Sequence, residues 1–176
     1  RSTTSDHIAG WGGDFLDVDW NKEVTLLSFV SSSRDHKIAH LQVADTVTGS
    51  VRSVLKEASP TYYEGGLSGE NWRVLDGSNE VIWFSEKSNW GHLYLHDLTT
   101  GELKNQITSG EWAVLNVLSV DEADRTIYFT GSNKEEGDPY FHYLYKVNFD
   151  GSGLTLLTPE NGNHSIDWSP DKTLFV

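Results

Sequence analysis

The chain has no cysteine, no methionine and only four prolines in 176 residues. Without cysteine there is no disulfide, no thiolate metal ligand and no thiol nucleophile, and cysteine usage assigns no redox compartment. Lys and Arg total 13 against 26 Asp and Glu, a formal charge of −13. That balance argues against a nucleic-acid backbone or an anionic membrane as partner, and acidity is also an ordinary way of keeping a strand-rich protein in solution. No apolar run approaches the roughly 18 residues of a membrane helix. The opening Arg1-Ser-Thr-Thr-Ser-Asp6 lacks the apolar stretch of a signal peptide. With no methionine, and with Thr173-Leu-Phe-Val176 reading as the middle of a strand, the chain is expected to be a piece of a longer polypeptide.

What is present is aromatic and periodic. Seven Trp, seven Tyr and seven Phe favour strands over disorder. Three heptapeptides, Val43-Ala-Asp-Thr-Val-Thr-Gly49, Leu95-His-Asp-Leu-Thr-Thr-Gly101 and Val147-Asn-Phe-Asp-Gly-Ser-Gly153, end on glycines spaced 52 residues apart. His40-Leu41 and His92-Leu93 keep that offset, as do Trp20 and Trp72. A period of about 40 to 50 residues built of strands marks a propeller blade.

The expected fold is therefore all-β: a partial β-propeller of about three four-stranded antiparallel sheets. The blades fall near residues 14–57, 71–108 and 113–158, and a further blade begins at 164–176. The strands expected in the first blade are Phe15–Trp20, Val24–Ser31, Lys37–Ala44 and Ser50–Lys56. In the third, one long strand is expected over Tyr140–Asn148. Gly49, Gly101 and Gly153 are expected at equivalent turns, where glycine supplies a positive φ. The apolar block Val81-Ile-Trp-Phe84 reads as a strand covered on both faces. The longest irregular stretch, Ala58 to Asn71, carries Tyr62-Tyr-Glu-Gly-Gly66. A loop of that length is usually functional or an insertion.

Residues that could carry chemistry are few. No serine sits in a Gly-x-Ser-x-Gly elbow; Gly66-Leu-Ser-Gly69 brings its second glycine one position early. The chain thus offers no catalytic residue. His92 and His96 have the i, i+4 spacing that chelates zinc on a helix, but on a strand four residues span about 13 Å, so a packing or turn role is expected. Asp14, Asp17 and Asp19 lack the glycine and distal glutamate of a calcium loop. No metal and no cofactor is indicated. Glu135-Glu136 could meet a cationic group, although a polar turn normally just solvates such a pair. The glycines at 12, 13, 65, 66 and 69 lack the lysine of a phosphate loop. Asn163-His-Ser165 fits the short N-glycosylation pattern. Strand aromatics such as Trp83, Phe84, Tyr94, Tyr128, Phe129, Tyr143 and Tyr145 read as filling between sheets. Tyr62, Tyr63 and Trp90 fall in loops, where an aromatic can meet a partner or substrate.

The segment Trp83-Phe-Ser-Glu-Lys-Ser-Asn-Trp-Gly-His-Leu-Tyr-Leu-His-Asp97 resembles a signature of the N-terminal β-propeller of the dipeptidyl peptidase IV family. The resemblance continues through Gln106-Ile-Thr-Ser-Gly-Glu-Trp112, Val120-Asp-Glu122, Thr126-Ile-Tyr-Phe129, His142-Tyr-Leu-Tyr-Lys146, Leu156-Leu-Thr-Pro159 and His164-Ser-Ile-Asp-Trp-Ser-Pro170. These pieces stand in the family's order. It covers residues 72–176 well and 14–57 more loosely. It implies a serine exopeptidase of the prolyl oligopeptidase superfamily that removes dipeptides from peptide N-termini. In that family the propeller caps an α/β-hydrolase domain holding the catalytic Ser, Asp and His, which would lie beyond Val176.

The amine-anchoring glutamate pair of the family belongs ahead of Arg1, so Glu135-Glu136 does not inherit its role. Tyr62, Tyr63 and Glu64 lie where family members carry a variable segment that can border the substrate cavity, though the sequence there departs from the better-known members. The partners implied are the hydrolase domain, peptide substrates and a homodimer, in an extracytoplasmic setting. Two other readings stay open: a stand-alone propeller binding protein or glycan, and a family member whose hydrolase domain has lost its nucleophile.

Overall fold

Residues 18–65, 71–170 and 174–176 are described by a computed structural model. Twelve strands and no helix occur among them. They form three four-stranded antiparallel sheets in chain order, the architecture of successive propeller blades. The first holds β1 (Val18–Trp20), β2 (Leu26–Ser32), β3 (Ile38–Asp45) and β4 (Val51–Ala58). The second holds β5 (Arg73–Leu75), β6 (Glu80–Ser85), β7 (His92–Asp97) and β8 (Leu103–Gln106). The third holds β9 (Ala113–Asp121), β10 (Thr126–Ser132), β11 (Tyr143–Asn148) and β12 (Thr155–Leu156). Beyond it, Trp168 bridges to Phe175 and its ring meets Tyr128 edge-on at 5.1 Å, covering the far face of the third sheet. Part of the expected first strand (15–17), Asp14 and Asp17, the glycines at 12, 13, 66 and 69, and residues 171–173 of the expected further blade lie outside the described residues. Tyr140, Phe141 and His142 belong to a loop rather than to a strand, with the Phe141 amide bonded to Asp138 O.

The block Val81-Ile-Trp-Phe84 shows how the sheets stack. Alternation along a strand sends successive side chains to opposite faces. Val81 and Trp83 join Val30, Leu41, Val43 and Leu55 in the seam with the first sheet. Ile82 and Phe84 join Ile127, Phe129 and Tyr145 in the seam with the third. A strand buried on both faces needs apolar residues at every position, and each such burial contributes about 1.5–3 kcal/mol. Trp112 plugs the second seam, stacked on Phe129 at 6.0 Å and edge-on to His92 at 5.1 Å.

Strand register corrects the apparent repeat. Ser31 pairs with His40 and Ser85 with His92, so His40 and His92 are equivalent, as their spacing predicts. The first halves of those two blades are then offset by 54 residues and the second halves by 52. Trp20 pairs with Leu27 as Val74 pairs with Val81. Trp20 and Trp72 therefore do not correspond: one is 51% exposed and the other 5%.

The hairpins show a second departure. Asp45 N bonds to Ser50 O, Asp97 N to Glu102 O and Asn148 N to Ser152 O, so the third turn is one residue shorter. The glycine before its closing residue is Gly151 (φ 85), not Gly153. A Cβ on Gly101 would stand 2.1 Å from Val54 O, and one on Gly151 2.9 Å from Ile107 O. Each of these turns lies on the outer strand of the preceding blade, and glycine permits the approach.

Candidate functional site

The two ends of the blades differ. At one end each blade has two tight turns: 21–25 and 46–50 in the first, 76–79 and 98–102 in the second, 122–125 and 149–154 in the third. Aspartates fix these turns: Asp45 Oδ1 accepts from the amides of Val47 and Thr48, and Asp97 Oδ1 from those of Thr99 and Thr100. Such local amide bonds favour the carboxylate, and the hydrogen bonds to Thr48 and Thr100 hold Asp45 and Asp97 below the usual range. Turns of neighbouring blades are tied together there, with Asp76 accepting from Lys22 N at 3.0 Å and Glu122 from Gly77 N at 3.3 Å.

The opposite end carries longer connections, of which residues 59–65 and 133–142 are described. Residues 59–65 begin the connection that crosses the seam between the first two blades. The amide of Ser59 bonds to Lys37 O, and that of Tyr63 to His36 O at 2.6 Å. Tyr62 is 42% exposed and stacks on the His36 ring at 5.2 Å. Tyr63 is half-buried against the first seam's core, its ring stacked on Trp83 at 6.2 Å. Glu64 is exposed. The three residues named from sequence thus stand together but do different things: Tyr63 anchors the loop, while Tyr62 and Glu64 present an aromatic ring and a carboxylate.

Under the loop sits a charged cluster that sequence reasoning did not single out. Glu57, on β4, accepts from Trp83 Nε1 at 2.7 Å and from Ser85 Oγ. Lys87 lies over the Tyr94 ring, 3.7 Å from its centre, and burial lowers its ammonium pKa despite Glu57 nearby. The Glu86 carboxyl is pushed up by burial, then by Glu64 and Glu57. The charge of Glu64 is therefore felt across the seam. The signal for Glu57 in the sequence was nil, since a glutamate late in an edge strand reads as solvated.

The other candidates resolve into packing. His92 Nδ1 meets Thr108 Oγ1 and Nε2 meets Gly110 O, both at 3.0 Å, and His96 Nδ1 meets Gly101 O at 2.9 Å. The Gly110 carbonyl can only accept, so Nε2 carries the hydrogen; burial, which lowers the His92 pKa, favours the neutral ring, and Nδ1 then accepts from the Thr108 hydroxyl, whose oxygen also accepts from Leu93 N. Gln106-Ile-Thr-Ser-Gly-Glu-Trp112 is therefore a clasp around His92. Glu135 accepts from the buried Tyr145 hydroxyl at 3.1 Å, while Glu136 is exposed, so the two carboxylates do not act as one site. Trp90 is half-buried and Asn163 exposed, its Oδ1 accepting from His142 N.

The fold has known counterparts. The family model described as Dipeptidyl peptidase IV (DPP IV) N-terminal region matches residues 8–176. The chain belongs to the DPP IV N-terminal region family. Among curated members, dipeptidyl peptidase 4 of Arthroderma otae is 27% identical over 125 residues, 69% of this chain and 15% of that protein. Dipeptidyl peptidase 4 of Trichophyton rubrum is 30% identical over 83 residues, 47% of this chain and 10% of that protein. The crystal structure of Porphyromonas gingivalis dipeptidyl peptidase 4 superposes with a TM-score of 0.74 at 18% identity, over 90% of this chain and 22% of that one. At that identity the likeness speaks for the fold, a DPP IV propeller. The chain spans about a seventh of the length of the first of these relatives and a tenth of the second.

Proposed function

We propose that this chain is the non-catalytic propeller portion of a DPP IV-like serine exopeptidase, and that the 59–65 loop shapes access of peptides to a hydrolase domain elsewhere in the polypeptide. The observation that carries the reading is the division of labour in that loop. Tyr63 is tied to His36 and Trp83, which leaves the exposed Tyr62 and Glu64 held at fixed places on the long-loop end. A rigidly based aromatic ring beside a carboxylate suits a peptide, whose side chains stack and whose amino groups are cationic. The long-loop end, not the end closed by aspartate turns, is then the face toward substrate.

The test is made in the full-length protein. Replacing Tyr62 and Glu64 together by alanine is expected to lower kcat/KM toward short peptides by more than tenfold, with thermal stability little changed. A loss within about threefold, roughly 0.65 kcal/mol of transition-state binding, would show that the loop only seals the seam. Residues 1–176 alone are expected to release no dipeptide from chromogenic amides. Turnover abolished by a serine-directed inhibitor would contradict this.

A further inference from the structure

Glu57 occupies an unusual place for a carboxylate. It stands on the outermost strand of its blade, yet its side chain turns inward and crosses the seam. Its two oxygens are taken up separately, Oε2 by Trp83 Nε1 and Oε1 by Ser85 Oγ. Both donors belong to β6 in the next blade, 26 and 28 residues along the chain. Trp83 is 2% exposed, so its indole N–H has no access to water as an alternative partner. An unpaired N–H there would cost about 1–3 kcal/mol. The bond also fixes the rotation of the indole, because only one orientation aims Nε1 at the carboxylate.

That orientation matters for what lies on the indole. The Tyr63 ring rests on Trp83, nearly parallel at 21°. Tyr63 in turn sets the backbone between Tyr62 and Glu64, and the His36 turn receives both the Tyr63 amide and the Tyr62 ring. A chain of contacts thus runs from β4 through β6 to the exposed pair on the loop.

We propose that Glu57 is a positioning residue for substrate recognition: by holding Trp83 it places the Tyr63 anchor, and so the location of Tyr62 and Glu64. Glu57 touches no substrate. The inference rests on the reading that the 59–65 loop faces the peptide. Its physical content is geometric rather than electrostatic, since the carboxylate acts as a two-point acceptor. Glutamine has the same shape: its Oε1 accepts from the indole and its Nε2 donates to the serine oxygen, which is itself an acceptor. Alanine offers neither.

The experiment uses the full-length protein with Glu57→Ala, Glu57→Gln and the double change Tyr62→Ala/Glu64→Ala. Three quantities are read: KM and kcat on a dipeptidyl chromogenic amide, and the rate at which an added protease cuts within residues 59–65. Glu57→Ala is expected to raise KM at least fivefold with kcat within twofold, and to speed loop cleavage at least tenfold. Glu57→Gln is expected within twofold of the parent in all three. Unchanged cleavage in Glu57→Ala overturns the inference whatever KM does, and so does Glu57→Gln behaving like Glu57→Ala, which would make the charge the active element. An unchanged KM in the double variant overturns the substrate reading of the loop instead, and cleavage in Glu57→Ala then still reports whether the anchor depends on Glu57. Should Glu57→Ala not fold, Ser85→Ala removes one of the two bonds and is expected to speed cleavage by a smaller factor. No change there overturns the inference as well.

Discussion

Glu80 offers the sharpest test of how the blades are held together. It opens β6 and its side chain is 2% exposed, yet it meets two cations: Lys104 on β8 of its own sheet and Arg125 from the 122–125 turn of the next, at 2.8 Å. Arg125 also lies over the Phe149 ring, 4.6 Å from its centre. Burial by itself would raise the Glu80 pKa. The hydrogen bonds from Arg125 and Lys104 more than offset this and bring it from 4.5 down to about 2. That drop corresponds to about 3 kcal/mol in favour of the folded, ionised carboxylate. Both cations are nearly half exposed, at 45% and 46%, so water screens them and a loss nearer ~2 kcal/mol is expected for Glu80→Gln at pH 7.

The folded carboxyl titrates below the unfolded one. Its contribution is therefore complete above about pH 4.5 and is lost as the pH falls toward 2. Urea unfolding followed by tryptophan fluorescence, repeated from pH 7 to pH 2, measures both the loss and the slope. Glu80→Gln should flatten the acid limb of the stability curve in that window. The reasoning fails if the variant loses less than about 0.5 kcal/mol at pH 7, or if it keeps the acid slope of the parent.

Two shorter tests accompany it. Gly101→Ala should destabilise by at least about 2 kcal/mol more than Gly49→Ala in thermal or urea unfolding. Both glycines have positive φ, but a Cβ at 101 meets Val54 O whereas one at 49 meets nothing within 4 Å; equal losses would mean that the turn does not bear on the neighbouring blade. His92, whose pKa burial lowers, should lose stability as the pH falls below about 6.5, because the unfolded imidazole protonates more readily than the folded one. His92→Phe should remove that slope while costing about 1–3 kcal/mol for the unpaired groups around it, and an unaltered slope between pH 7 and 5 would refute the assignment.

The sequence carried the repeat, the order of strands and the all-β class, because these rest on local chemistry. Asp45 and Asp97 fold their own turns through amides two and three residues on, and the continuous apolar block Val81-Ile-Trp-Phe84 reads as a strand covered on both faces. It also placed Tyr62, Tyr63 and Glu64 together in a connection between strands. It could not separate the anchor from the exposed pair, since that depends on which ring finds Trp83. Nor could it align the blades correctly. The even spacing of Gly49, Gly101 and Gly153 is not the structural repeat in the third blade: Asp150-Gly151 reads as a turn in the sequence, but hydrogen-bond register is what makes Gly151 the counterpart of Gly49 and Gly101. Tertiary structure alone gave Glu57 and Glu80 their roles. Their partners lie 24 to 45 residues away, and residue type by itself describes each as an ordinary solvated carboxylate. Whether a charge is solvated or clasped is decided by what the neighbouring sheet places against it, and that is set by stacking, which no single strand encodes.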